Sequence, residues 1–305
     1  MKIAIVGGPT AVGKTDIMVE VCEELGAEII SMDSRQIYRY MDIGTAKPTP
    51  EQRRKVPHYM IDILDPDEYY NAFLYRKDSL KVMEDILRKG KIPVYVGGTG
   101  LYADALVRGI FEGVPADENV RRELRELERK EPGILRKMLE EFDPEAATRI
   151  HPNDLKRTIR ALEVYMKTGR RISELQKKTK GDDRFFIVVL TRERYDLYNR
   201  INKRVDKMIE MGLVDEVKRL LNMGYSKDLN SMKTIGYKEV IDYLEGKYDF
   251  DRMVHLIKRN TRHFARRQII WFKRYEDAVW YNLTLMDKKD VKKELKNLIV
   301  RNFSV

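Results

Sequence analysis

The run Gly8-Pro9-Thr10-Ala11-Val12-Gly13-Lys14-Thr15 stands directly behind the apolar stretch Ile3-Ala4-Ile5-Val6 and matches G-x-x-x-x-G-K-[ST] at every fixed position. The apolar stretch reads as a buried strand. Its glycines let the backbone aim several amide hydrogens at one point, and the helix that follows adds a partial positive charge there. Lys14 supplies a full charge, and the Thr15 hydroxyl suits a magnesium ion that bridges phosphate oxygens. Such a chain is expected to bind a polyphosphate. The loop does not choose among kinases, nucleotide hydrolases and enzymes that expel pyrophosphate, because all of them use it.

Apolar runs alternate with helical patterns along the first part of the chain. Residues 2–6 read as a strand, 15–25 as a helix, 27–32 as a second strand, and 60–64 as a third. Residues 72–88 form a helical pattern, followed by the strong strand at 93–96 and the turn Gly97-Gly98-Thr99-Gly100, which opens another helix. This alternation predicts a doubly wound parallel α/β sheet. Strand signals vanish between 119 and 182, where charged helices are punctuated by Pro132-Gly133, Pro144 and His151-Pro152. The expected organisation is therefore a catalytic core over 1–118, an all-helical insertion over 119–182, and completion of the core over 183–305. That last part holds the strand-like 185–190 and is expected to be helical to the end.

The net charge of +10 favours a polyanionic partner, with nucleic acid as the first candidate. The single cysteine, Cys22, excludes an internal disulfide framework, fits a reducing cytoplasm, and falls on an apolar helix face where it reads as core. The four histidines, His58, His151, His255 and His263, lack metal-ligand spacing. No apolar run approaches the length that spans a membrane, so we expect no membrane partner and a cytoplasmic protein.

Asp33, in Met32-Asp33-Ser34-Arg35-Gln36-Ile37-Tyr38, follows the second strand beside the phosphate loop, where open parallel sheets bind ligands. Its carboxylate is placed to act as a base, to cap the next helix, or to hold a magnesium-bound water. Thr99 lies at the same sheet edge, as an N-cap or a ligand contact. Near the C-terminus, at 100 degrees per residue, Arg259, Arg262, Arg266 and Lys273 share one stripe with Arg267 and Arg274 beside it. Ile257, Phe264, Trp271 and Phe272 lie opposite as the expected packing face. No acid interrupts the sequence between Asp251 and Glu276, which favours phosphate-backbone binding over internal pairing. Lys156, Arg157 and Arg160 form a second basic cluster in the insertion.

The ordered set GPTAVGKT (8–15), DSRQIY (33–38), DIGTAKP (42–48), GGTGLY (97–102), HPNDLKRTIRALE (151–163), IGYKE (235–239) and RRQIIWF (266–272) resembles the bacterial tRNA dimethylallyltransferases, also called tRNA isopentenyltransferases, over nearly the whole chain. Tyr59 stands where the family often has a second histidine, and Arg266 where lysine is usual. The resemblance implies transfer of a dimethylallyl group from dimethylallyl diphosphate to the exocyclic N6 amine of the adenine 3′ of the anticodon, with release of pyrophosphate. It implies that Gly8 to Thr15 with Lys14, Arg204 and a Thr15-bound Mg2+ hold the diphosphate, that Asp33 is the base, and that Thr99 positions the amine. Ser34, Arg35 and Gln36 would line the RNA side of a channel. Arg121, Lys156, Arg157, Arg160 and the strip of Arg262, Arg266, Arg267, Gln268 and Lys273 would grip the tRNA anticodon stem-loop. A monomer is expected, because one surface must wrap one stem-loop.

Two other classes share parts of this pattern. A small-molecule kinase would use the same loop without needing the basic C-terminal helix, and relatives that prenylate free adenine nucleotides share the core motifs but not the RNA-gripping parts. A non-catalytic RNA-binding module would leave Lys14, Thr15 and Asp33 without a purpose.

Overall fold

Among the described residues, six short strands, most of them apolar on both faces, make one parallel sheet. They are β1 (Ile3–Gly7), β2 (Glu28–Met32), β3 (His58–Tyr59), β4 (Pro93–Gly97), β5 (Phe185–Thr191) and β6 (Val279–Asn282), in the order β3-β2-β4-β1-β5-β6. A computed structural model describes residues 1–111 and 114–304. Every residue of β1, β2 and β4 is buried, as parallel strands covered on both sides require. The register sets Ile5 between Tyr95 of β4 and Ile187 of β5. Connections run from β1 toward the β2 half and from β5 toward the β6 half. The carboxyl end of β1 is thus the switch point at which such sheets bind ligands.

One compact unit comprises Met1–Val107 and Asp183–Val305, and a second comprises Arg108–Asp182. In the first, α1 (Lys14–Leu25) buries Ile17, Met18, Val21 and Cys22 in the cluster that also holds Val6, Val94 and Val188. Each such aliphatic side chain contributes roughly 1.5–3 kcal/mol on burial. Burial pushes the Cys22 thiol up to about 12, so it is an inert core side chain. Helices α2 (Pro50–Lys55), α3 (Ala72–Arg88) and α4 (Gly100–Val107) follow. Thr49 and Gln52 close a capping box on α2, and Asn71 caps α3 by accepting from the Leu74 amide at 2.9 Å.

The second unit is all helical: α5 (Glu118–Lys130), α6 (Ile134–Phe142), α7 (Pro144–Arg149), α8 (Leu155–Thr168) and α9 (Ile172–Lys177). It has its own core, including Leu124, Leu135, Leu139, Ile159, Leu162 and Val164. Buried Asp143 caps α7 through the Ala146 amide at 3.0 Å and also accepts from the Ser173 amide and hydroxyl, tying α9 to α7. The unit begins at Arg108, directly after α4, where the sequence placed its start at 119, because a helical period in the sequence resumes only near α5.

The first unit resumes with β5 and continues through α10 (Arg194–Glu210), α11 (Leu213–Asn222), α12 (Tyr237–Leu244), α13 (Phe250–Phe272) and α14 (Lys288–Phe303). Two strand expectations differ from the structure. The third strand is His58–Tyr59, paired with Ile29 and Ile30, and not 60–64. Met60 and Asp62 adopt positive φ of 61° and 57°, which breaks an extended run, and Leu64 makes only a bridge to Tyr38. The last stretch is not wholly helical, since β6 adds to β5 with Val279 opposite Val188. This four-residue edge strand buries only Tyr281 and is too short for its period to show.

Candidate active site

A cavity of about 360 Å³ opens at the carboxyl end of β1 within the first unit. It is lined by Thr10 to Thr15, by Asp33 to Gln36, by Gly97 to Thr99, and by Arg204, Arg267 and Gln268. Three segments that are remote in sequence therefore meet. The remaining wall is Gly44 to Ala46, Lys233 to Gly236, Thr261, and the apolar side chains Val96, Val205, Met208, Ile257 and Phe264.

The phosphate loop is held from behind. Gly8 has φ +139°, and a Cβ there would stand 2.3 Å from the Leu190 carbonyl oxygen, so only glycine lets the loop lie against β5. Arg192 Nε donates to the Val12 carbonyl at 2.8 Å, and Arg200 Nε donates to the Ala11 carbonyl at 3.0 Å. Sequence reasoning missed both arginines. Arg200 was findable, because it precedes Arg204 by four residues on the same helix and so shares its face. Lys14 Nζ donates to the Gly8 and Pro9 carbonyls, each at 2.8 Å. Burial and the Arg204 charge pull the Lys14 ammonium down to about 7 against the opposing effect of Asp33. Burial, with Arg200 adding to it, also lowers Arg204, which forms no hydrogen bond or ion pair among the described residues. Two basic side chains thus face the cavity with no ion-pair partner among the described residues, an arrangement that an entering diphosphate would relieve.

Asp33 closes a local turn instead of capping a helix. Its Oδ1 accepts the Arg35 amide at 2.8 Å and the Gln36 amide at 3.3 Å, a local turn that leaves Oδ2 with no partner among the described residues. Thr99 Oγ1 accepts the Ser34 amide at 3.0 Å and keeps its own proton for a ligand. Arg35 Nη1 is anchored on the Asn230 carbonyl at 2.9 Å, and Gln36 Nε2 on the carbonyls of Thr45 and Ala46. Glu216, which the sequence did not single out, accepts the amides of Asp42, Ile43 and Gly44 and the Tyr237 hydroxyl. It thereby fixes the DIGTAKP segment and the IGYKE segment together as one wall of the cavity.

Arg266 on α13 and Lys273 at its C-cap are exposed and free of ion pairs among the described residues. Arg262 donates to Asn202 Oδ1 at 2.8 Å and lies over the Tyr198 ring, while Arg267 lines the cavity over the Phe264 ring. Acids from other elements reach the strip after all. Arg274 pairs with Asp104 at 3.1 Å, and Lys258 pairs with Asp206 at 2.5 Å. Two further expectations are corrected. Phe264 is 37% exposed and lines the cavity instead of packing, because the face opposite the cations turns into the site. Gln268 is only 6% exposed and its amide is spent inside the protein, so it is not part of the exposed cationic strip.

In the helical unit, Arg121 Nε and Arg160 Nη1 both pair with the buried Glu163 carboxylate, at 2.9 and 2.5 Å. Arg157 pairs with Asp154 at 2.8 Å, which leaves Lys156 as the exposed cation of that cluster with no pair among the described residues. Glu163 is thus the core acid that makes two of the expected RNA-gripping arginines double as structural groups.

A family model for IPP transferases matches residues 36–275, and one for isopentenyl transferases matches residues 1–65. The chain belongs to the IPP transferase family. Among its relatives, the tRNA dimethylallyltransferases of Thermotoga neapolitana and Thermotoga maritima are 88% and 89% identical, each over 100% of both chains. The tRNA isopentenylpyrophosphate transferase of Bacillus halodurans matches in structure with TM-score 0.74 at 39% identity, over 99% of this chain and 97% of that one. A eukaryotic dimethylallyltransferase described as acting on tRNA matches with TM-score 0.80 at 27% identity, over 97% of this chain and 77% of that one. Tyr59, expected above as a departure from the pattern, has a structural use: its hydroxyl donates to Glu28 Oε2 at 2.8 Å.

Proposed function

We propose that this chain is a tRNA prenyltransferase, which moves the dimethylallyl group of dimethylallyl diphosphate onto the N6 amine of the adenine 3′ of the anticodon. The observation that carries the reading is a single cavity lined by the phosphate loop, by the Asp33 and Thr99 pair, and by Val205, Met208, Ile257 and Phe264. A phosphoryl donor alone would not call for that apolar lining. A five-carbon allyl chain would.

In this reading the C1–O bond of the donor breaks, pyrophosphate leaves, and the amine nitrogen bonds to C1. Negative charge grows on the leaving group, where Lys14, Arg204 and the loop amides stabilise it. The amine gives up one proton, and the free Oδ2 of Asp33 takes it while Thr99 orients the nucleophile. The target base would have to leave the anticodon stack to reach the cavity. The site fits Mg2+ through its donor chemistry. Among the described residues, the Thr15 hydroxyl has no protein partner, and no cluster of His, Cys, Asp or Glu would take a metal by itself. Phosphate oxygens and water would complete the shell, and the ion would add charge neutralisation at the leaving group.

The exposed cations of α13 and of the helical unit support an RNA acceptor over a free nucleotide. A monomer remains the expectation in this reading, since one surface must wrap one stem-loop. No helix among the described residues is long and apolar enough to cross a membrane. A tRNA acceptor puts the enzyme in the cytoplasm in this reading. The test is incubation with labelled dimethylallyl diphosphate and either an anticodon stem-loop or AMP. Label in RNA without added ATP is expected, whereas label in AMP alone or an obligatory ATP requirement would overturn the proposal.

A further inference from the structure

Gln268 is the one polar side chain of α13 that is buried, and both ends of its amide are used. Oε1 accepts the Thr10 amide at 2.8 Å, and Nε2 donates to the Gly98 carbonyl at 2.9 Å. An amide hydrogen can only donate and a carbonyl oxygen can only accept, so the two partners fix which way the side chain points. Each partner belongs to a peptide group that is pinned at its other end. The Pro9–Thr10 peptide gives its carbonyl to Lys14 Nζ and its N–H to Gln268. The Gly98–Thr99 peptide gives its carbonyl to Gln268 and its N–H to the Met32 carbonyl at 3.2 Å. A Cβ on Gly98 would stand 2.2 Å from Gln268 Nε2, so the glycine makes this approach possible.

We infer that Gln268 is a positioning residue that sets the separation between the diphosphate loop and the Thr99 turn, and hence between the leaving group and the attacking amine. The inference rests on the prenyl-transfer reading for its kinetic consequences. One side-chain amide spans the gap, so losing it frees the Thr10 peptide and the Thr99 turn to shift independently. Misplacement by about 1 Å is worth on the order of 100-fold in rate. A misplaced amine also leaves the allyl carbon open to water. The C1–O bond then breaks as before, water oxygen bonds to C1 and loses a proton, and dimethylallyl alcohol forms together with pyrophosphate.

Gln268→Met keeps the length and removes both hydrogen bonds. With dimethylallyl diphosphate and the stem-loop, kcat for transfer is expected to fall about 10- to 100-fold. The ratio of dimethylallyl alcohol to prenylated RNA should rise severalfold, while pyrophosphate affinity changes by less than about tenfold, the worth of about one hydrogen bond. A role confined to stability would lower the folded fraction and leave the product ratio alone. If the methionine variant does not fold, Gln268→Glu keeps the acceptor for Thr10 and removes the donor to Gly98, and the same rise in alcohol ratio is expected. Folded variants with wild-type kcat, or a loss matched by loss of folded protein at an unchanged product ratio, would overturn the inference. Failure of the wild type to prenylate RNA would instead defeat the underlying reading. The clamp is then read without catalysis, from exchange of the 15N-labelled Thr10 amide, which should quicken by about tenfold or more in the variant, whereas unchanged protection would overturn it.

Discussion

At the residue scale, Lys14 and Asp33 divide the chemistry, and each makes a prediction. The Lys14 ammonium is held near 7 by burial and by Arg204, below the ordinary 10.5. Between those two values the unfolded chain binds a proton that the folded chain does not, so this group makes folding more favourable as pH rises from 7 toward 10.5. For ligand binding the sign reverses. A diphosphate favours charged Lys14, so at pH 8 its binding must draw a proton from solution and should weaken as pH rises. Calorimetry of pyrophosphate binding at pH 8, in magnesium-free buffers of different ionisation heat, should show greater proton uptake for the wild type than for Lys14→Arg, by up to about one proton. Equal uptake by the two proteins would mean that Lys14 is already charged in the empty site. Asp33→Asn leaves the Oδ1 turn to Arg35 and Gln36 intact and removes the proton acceptor. Transfer should slow by about two to four orders of magnitude with pyrophosphate affinity retained. Near-normal turnover would reduce Asp33 to its turn-forming role.

At the scale of elements, the site depends on loops closed by distant buried groups. Glu216 on α11 is 3% exposed, and its carboxylate takes three successive amides of the 42–44 segment and the Tyr237 hydroxyl. Glu216→Gln turns one acceptor into a donor facing other donors. It should cost about 2–4 kcal/mol of stability, since charge-assisted bonds are worth about 1.5–3 kcal/mol each and a mispaired buried donor adds to the loss. Denaturant midpoints would measure this, and a change below about 0.5 kcal/mol would show that the segment holds without the clamp. Such groups also mark where the sequence stopped being readable. The phosphate loop, Asp33 and Thr99 were legible because each sits within a few residues of the strand end that positions it. Gln268 and its Thr10 partner lie 258 residues apart, and Glu216 reaches its loop amides across 172 to 174 residues. No local period encodes those pairings. The helical layout of α13 correctly separated the cations from Ile257 and Phe272, yet it could not tell that Phe264 would face a cavity or that a glutamine would be buried.

At the scale of the molecule, the excess of basic residues that gives the net charge of +10 has to be sorted into paired and available cations. Glu163 and Asp154 engage Arg121, Arg160 and Arg157 in the helical unit, and Asp104, Asp206 and Asn202 engage Arg274, Lys258 and Arg262 in the other unit. Exposed Arg259 and Arg266 on α13 and Lys273 at its C-cap are among the cations with no carboxylate partner among the described residues. Replacing these three with glutamine leaves Ile257, Ala265 and Phe272 to hold the helix, so stability should change little. If they meet phosphates, the slope of log affinity against log salt for an anticodon stem-loop should become shallower by about two to three units, at roughly 0.7–0.9 per phosphate contact. The weakening should be uniform across stem-loop sequences, because phosphate contacts carry register and not base identity. Lys156→Gln, made alone in the helical unit, should remove about one unit by the same reasoning. Pyrophosphate affinity should stay as it was in both variants, since neither set touches the phosphate loop. An unchanged salt slope in the folded triple variant would assign these cations to solubility and require that the RNA be held by other groups.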